Sequence, residues 1–413
     1  MRPADHELIY DWNLKGHAPL RPAQAIEFDD ETLRDGLQSP SVTSPSIEKK
    51  LEILHLQDRL GIHTSDIGLP GAGPHVVAHV KRLAEEIRDA KLNIRANCAA
   101  RTLESDIRPV AEIVQQVGIP IEVCTFIGSS PIRQYAEDWD VARMLKHTEE
   151  AVTFAVKEGL SVMYVTEDTT RAHPDTLKQL FAAAIQAGAK RLCLCDTCGH
   201  ATPDGAANLV RWTREWLQGV DPSIKIDWHG HSDRGLGVIN SIAAIGAGAD
   251  RVHGCALGIG ERVGNTPMDQ LLVNLQLMGW IDHDLSALPE YCDVVSKSCE
   301  VPIPVNYPVV GRDAFRTGTG VHAAAVIKAY KKGDAWLADR VYSGVPASMV
   351  GRAQEIEVGP MCGLSNVVYW LEHHGYEAAD ATVQAVFKAA KASPRVLTDE
   401  EVHGIVRHAA VGA

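Results

Sequence analysis

Nowhere does the chain contain the roughly 18 to 20 consecutive apolar residues that span a bilayer, which excludes a helical membrane protein. The opening residues, MRPADHELIYDWNLKG, lack an apolar stretch followed by a small-residue cleavage site. No secretory signal is expected there, and a cytoplasmic location follows. Basic charge is also in deficit: 40 Lys and Arg against 53 Asp and Glu leave a net −13. A general nucleic-acid surface would have to be assembled against that balance, so no nucleic-acid partner is expected, although a local site for a phosphorylated cofactor is compatible with it. The nine cysteines show no regular spacing, which fits reduced, buried thiols better than a disulfide framework. What remains is an ordinary globular composition, 45% hydrophobic and 23% charged, in a chain long enough for a large barrel with an appendage or for two ordinary domains.

From about residue 25 to 280 one pattern repeats eight times: a short β-branched run, a polar loop, then an amphipathic stretch ending at or near Gly. The strand candidates are residues 25–32, 63–70, 93–100, 121–128, 161–168, 191–197, 225–231 and 251–257. Segments such as SIEKKLEILHLQDRLG and HPDTLKQLFAAAIQAG carry apolar residues three and four apart, with Gly61 and Gly188 placed as C-caps. Strands alternating with helices imply right-handed βαβ units and a parallel sheet, and eight units close into a (β/α)₈ TIM barrel. A doubly wound open sheet is the competing arrangement, and either one puts a site at the strand C-termini. The expected organisation is an N-terminal extension (1–24), a barrel (25–282) and, after the Pro-rich VPIPVNYPVVG, a C-terminal helical appendage (283–413) without a separate regulatory domain.

The polar features fall at the ends of predicted strands, where a barrel builds its active site. In DWHGHSD, His229 and His231 stand two apart, so an extended strand points both imidazoles to one face, about 7 Å apart along the chain and within reach of one metal ion. The bland alternative is a polar layer. At the end of strand one, ETLRDGLQ supplies Arg34, Asp35 and Gln38. Asp35 would complete a three-ligand site with open positions for substrate, and Arg34 would stabilise charge developing on a carbonyl oxygen. Their bland alternative is an ordinary ion pair.

These motifs, with the DT of CDTCGHATP and the run GIGERVGN (258–265), resemble the metal-dependent Claisen-condensing barrel enzymes: the 2-isopropylmalate, homocitrate and citramalate synthases, in one superfamily with hydroxymethylglutaryl-CoA lyase. The resemblance extends over nearly the whole chain. It implies an acyltransferase that condenses acetyl-CoA with a 2-oxo acid to give a 2-substituted malate and CoA. Homocitrate or citramalate synthase activity and a retro-aldol lyase are the alternatives. By that resemblance a divalent metal, Mn²⁺ or Mg²⁺ with Zn²⁺ compatible, sits on Asp35, His229 and His231, and Arg34 polarises the keto group. Gln38, Asp66, Asn97, Met163 and Thr197 line the substrate, and Gly258, Gly260, Glu261, Gly264 and Asn265 receive acetyl-CoA. FRTGTGVHAAAV places His322 as the base, brought across a homodimer interface, with Tyr342 of YSGVPASMVGR as its companion and Glu167 orienting it.

Several residues depart from that pattern. Leu37 stands where Glu is usual, in the lyase spelling RDGLQ; Leu257 and Ser232 replace two asparagines around the metal. Asp66 replaces a longer Glu, Met163 replaces the Arg of homocitrate synthases, and NCAAR lacks their distal-carboxylate His. A monocarboxylic 2-oxo acid with an apolar or unusual side group, contacted by Leu37, Asn97 and Met163, is therefore expected. Three rival readings stand beside this one: a zinc or redox site on Cys193, Cys195, Cys198 and His200, a two-His, one-carboxylate iron oxygenase, and an inactive barrel serving as a scaffold.

Overall fold

The structure, a computed structural model, describes residues 4–15, 21–22 and 24–411. Parts of the expected N-terminal extension, residues 1–3, 16–20 and 23, lie outside them. The chain divides into two compact units, one of Met1–His283 with Val294–Val301 and the other of Asp284–Asp293 with Pro302–Ala413.

The first unit is a closed barrel of eight parallel strands in sequential order: β1 (Glu27–Asp30), β2 (Thr64–Asp66), β3 (Arg95–Arg101), β4 (Ile121–Gly128), β5 (Ser161–Glu167), β6 (Arg191–Asp196), β7 (Lys225–Gly230) and β8 (Arg251–Gly254). Closure comes from β1, which pairs with β2 on one side and with β8 on the other, Asp29 opposite His253 and Asp30 opposite Gly254. Helices between the strands start and stop where local chemistry dictates. Ser46 caps Ile47–Arg59, Asp140 caps Val141–Lys157 by accepting from Arg143 N at 2.7 Å, and Thr202 caps Pro203–Gln218, whose proline sits at a position that needs no N–H. Gly188, at φ +114°, ends Pro174–Ala187 in the left-handed conformation that side chains resist. No helix of the described residues is long and apolar enough to cross a membrane. All nine cysteines are free thiols, eight of them buried.

The barrel interior is not wholly apolar. Asp227 accepts from Arg191 Nη1 and Arg251 Nε, each at 2.6 Å, and Arg251 Nη2 reaches Glu122 at 2.6 Å. Arg251 is 1% exposed and Asp227 fully buried, so each charge depends on its partner to offset desolvation. Burial pushes the Asp227 carboxyl up, but Arg251, Arg191 and His253 together hold it well below the usual carboxylate range.

In the second unit, helices Leu364–His373, Asp380–Ala392 and Asp399–Val411 pack around Val367, Trp370, Leu371, Val386 and Val402. The sequence pattern predicts helices alone here; the structure adds a parallel pair of two-residue strands, β9 (Arg316–Thr317) and β10 (Glu355–Ile356). Two residues are too few to register as an alternating pattern.

Candidate active site

A cavity of about 350 Å³ opens at the C-terminal ends of the barrel strands, within the size range of small-molecule sites. β7 presents His229 and its extension presents His231, and the turn after β1 presents Asp35. Asp35 Oδ2 lies 3.3 Å from Nε2 of both imidazoles, which are themselves 3.3 Å apart at Nε2. All three residues are buried. Among the described residues two groups converge closely enough to hold a metal ion, this one and Glu31 with His229 and His253. Neither includes a cysteine. Cys193 and Cys195 Sγ lie 3.8 Å apart inside β6, and Cys198 Sγ accepts from Arg171, so the four-ligand zinc alternative does not assemble.

Arg34 stands at the centre of a carboxylate cluster. Its Nε donates to Asp66 Oδ2 at 2.8 Å, Nη2 pairs with Glu31, and Nη1 lies 3.6 Å from Asp35 Oδ1. Burial alone would raise the Asp35 carboxyl, yet Arg34 and the two histidines hold it well below its ordinary value. Burial disfavours a charged His229, but Asp35 and Glu31 raise it well above the usual imidazole range. Glu167, at the end of β5, lines the cavity with its carboxyl raised by burial, against the pull of Arg133 at 3.9 Å and of Arg34.

The remaining candidates divide. Gln38, Met163, Thr197 and Glu261 line the same cavity. Thr197 Oγ1 also accepts from Asp168 N at 2.8 Å. Asp66 and Asn97 do not line it: Asp66 is buried behind Arg34, and Asn97 Nδ2 donates to both oxygens of Asp29. Leu37 is likewise outside the lining. The glycine-rich run is a tight loop in which Gly258, Gly260 and Gly264 all have positive φ, and a Cβ on Gly264 would land on the carbonyl of Gly258. Asn265 Nδ2 donates to Ile259 O and its own carbonyl accepts from Ser232 Oγ, fastening the loop to the end of β7. His322 and Tyr342 belong to the second unit, where both are exposed and their rings stack at 4.1 Å. Sequence reasoning missed Glu31, His253, Cys124 and Arg262, all lining the cavity. Arg262 bridges Asp233 and the carbonyl of Thr197, tying the glycine loop to β6 and β7, and its place within GIGERVGN was the available signal.

Residues 25–295 match the HMGL-like family. A probable 2-isopropylmalate synthase of Methanopyrus kandleri is 31% identical over 89% of this chain and 69% of its own length. The homocitrate synthase AksA of the same organism is 33% identical over 94% and 93%, and a 2-isopropylmalate synthase of Shouchella clausii is 29% identical over 93% and 73%. Among solved structures, an HMG-CoA lyase of Bacillus subtilis superposes with a TM-score of 0.58 at 19% identity, covering 70% of this chain and 98% of that one. A hydroxymethylglutaryl-CoA lyase of Pseudomonas aeruginosa gives 0.56 at 16%, covering 71% and 98%. At these identities the lyases establish the barrel fold and no more.

Proposed function

This chain belongs to the HMGL-like family, and from that premise we propose that it joins the methyl carbon of acetyl-CoA to the carbonyl carbon of a 2-oxo acid. Water then cleaves the thioester, and the products are a 2-substituted malate and CoA. The observation that carries this reading is the approach of Asp35 Oδ2 to both His229 and His231 Nε2 beside the Arg34 guanidinium, inside one ligand-sized cavity. The relatives, a probable 2-isopropylmalate synthase, a homocitrate synthase and a putative (R)-citramalate synthase, support the reaction class.

One carboxylate and two imidazoles with their donor atoms turned toward one another suit a divalent ion better than they suit each other, since nothing else in the cluster satisfies three such groups at once. Asp35, His229 and His231 would hold it, and when bound it supplies Lewis acidity to a keto oxygen. Mn²⁺ or Mg²⁺ is preferred here, with Zn²⁺ compatible. Arg34 places a fixed positive charge where the alkoxide develops and is preorganised for that by Asp66 and Glu31. Gln38 and Thr197 orient the acid, and the loop 258–265 lets backbone approach acetyl-CoA. The methyl proton goes to His322 of a second copy, with Tyr342 beside it and Glu167 orienting the imidazole; a homodimer is part of this proposal.

For the substrate we favour a monocarboxylic acid with an apolar side group. Leu69, Ala99, Cys124, Phe126, Met163 and Val165 line the cavity, whereas its arginines are engaged, Arg34 by three carboxylates and Arg262 by Asp233. The deciding assay is release of CoA thiol from acetyl-CoA across a panel of 2-oxo acids with Mn²⁺ or Mg²⁺. Thiol release with no acid would defeat the condensation, and a preference for 2-oxoglutarate over 2-oxoisovalerate would defeat the apolar pocket.

A further inference from the structure

We infer that Glu31 is a positioning residue that fixes the ring orientation of His229, and that it is itself held by His253 and Asp227 from within the barrel. The inference rests on the reading of Asp35, His229 and His231 as metal-holding residues. Glu31 follows β1 directly, its backbone N–H bonded to Gly254 O at 2.8 Å, and its side chain is buried. One carboxylate oxygen, Oε1, lies 2.9 Å from His253 Nδ1 and 3.4 Å from His229 Nδ1; the other pairs with Arg34.

An ionised carboxylate only accepts hydrogen bonds, and a neutral imidazole has one N–H and one lone pair. When a metal takes Nε2, the atom that faces Asp35 and His231, the one proton left on His229 sits on Nδ1, the nitrogen that faces Glu31. At 3.4 Å the contact is an ion-pair distance, and no other acceptor among the described residues is hydrogen-bonded to that nitrogen. His231 provides the contrast: its Nδ1 is buried with no hydrogen-bond partner, so no carboxylate stands behind its ring as Glu31 stands behind His229.

His253 closes the argument from the other side. Both of its ring nitrogens face carboxylates, Nδ1 toward Glu31 and Nε2 toward Asp227 Oδ2 at 2.9 Å, so both must donate and the ring is an imidazolium. That removes the lone pair a second metal site on Glu31, His229 and His253 would need. It also adds a second cation beside Glu31, after Arg34, which keeps the carboxylate ionised. Asp227 in turn is clamped by Arg191 and Arg251, so the chain of contacts from His229 ends on a rigid buried ion network.

Carboxylates behind metal-bound histidines are worth about 10 to 100-fold in affinity. The experiment is Zn²⁺ affinity by chelator competition in the full-length protein and in Glu31→Ala, Glu31→Gln and Asp35→Ala, with ¹⁵N-histidine NMR of the zinc-loaded forms. Expected are zinc binding that Asp35→Ala abolishes, a loss of about 10 to 100-fold in Glu31→Ala, and recovery of most of it in Glu31→Gln, which keeps a carbonyl acceptor. The His229 Nδ1–H signal should be shifted downfield by its carboxylate neighbour in the parent protein and should lose that shift in Glu31→Ala. Zinc binding that is lost in Asp35→Ala but unchanged in affinity and spectrum by Glu31→Ala overturns the role of Glu31 alone. A parent protein that binds no zinc overturns the metal-site reading on which it rests.

Discussion

Asp227 and Arg251, neighbours across β7 and β8, share a 2.6 Å hydrogen bond in the centre of the barrel, where water reaches neither. Removing one partner strands the other charge. Asp227→Ala is therefore expected to cost about 3–5 kcal/mol of folding stability at neutral pH, read from urea denaturation. A loss under 1 kcal/mol would mean the network is dispensable.

The same residue sets an acid limit. Its carboxyl is held below the ordinary value of 3.8 in the fold, so its stabilisation is complete above that pH and disappears as pH falls toward the folded value. Denaturation midpoints collected from pH 3 to 7 should fall more steeply at the acid end for the parent protein than for Asp227→Asn. Parallel curves would contradict this.

Chelation should abolish thiol release, and added Mn²⁺ should restore it. His231→Ala and Asp35→Asn should each lose more than about 100-fold in metal affinity, beyond what an outer-sphere change costs. Full activity after exhaustive chelation would remove the metal from the proposed reaction.

Burial raises the Glu167 carboxyl above its ordinary 4.5, and the proposed role requires it ionised. The acid limb of kcat/KM should therefore have its midpoint above that value and should vanish in Glu167→Gln, with the rate down about 100-fold or more. An unchanged acid limb in Glu167→Gln would assign it to another group.

Leu257 occupies the left-handed region at φ +56° at the start of the glycine loop, pinned by a bond from its N–H to Asp269 at 2.8 Å. Leucine resists that conformation by about 1–2 kcal/mol, whereas asparagine tolerates it. Leu257→Asn should raise the unfolding midpoint, by an amount corresponding to about 1 kcal/mol. A lower midpoint would show that the leucine packing outweighs the backbone strain.

The eight barrel strands were legible because each is a local event: a β-branched run bounded by polar turns, followed by a capped amphipathic helix. Strand boundaries shifted by up to four residues, as at 63–70 against Thr64–Asp66 and at 251–257 against Arg251–Gly254, where the glycine loop takes over. The strands β9 and β10 were not legible, because nothing in two residues repeats. Within the cavity, Gln38, Met163, Thr197 and Glu261 were named through the family resemblance, as were Asp66 and Asn97, which lie outside the lining because Arg34 holds the one and Asp29 the other.

By itself the sequence determined the alternation of elements, hence a parallel sheet flanked by helices, and the order in which polar side chains reach the C-terminal ends of its strands; closure into a barrel is seen in the pairing of β1 with β8. Only the tertiary structure decided which of those side chains meet. Glu31 and His253 are 222 residues apart, and Asp227 and Arg251 come together across adjacent strands. Backbone periodicity says which face of a strand a residue occupies, but the partner that offsets the burial of a charge is chosen by register and closure, which exist only in three dimensions.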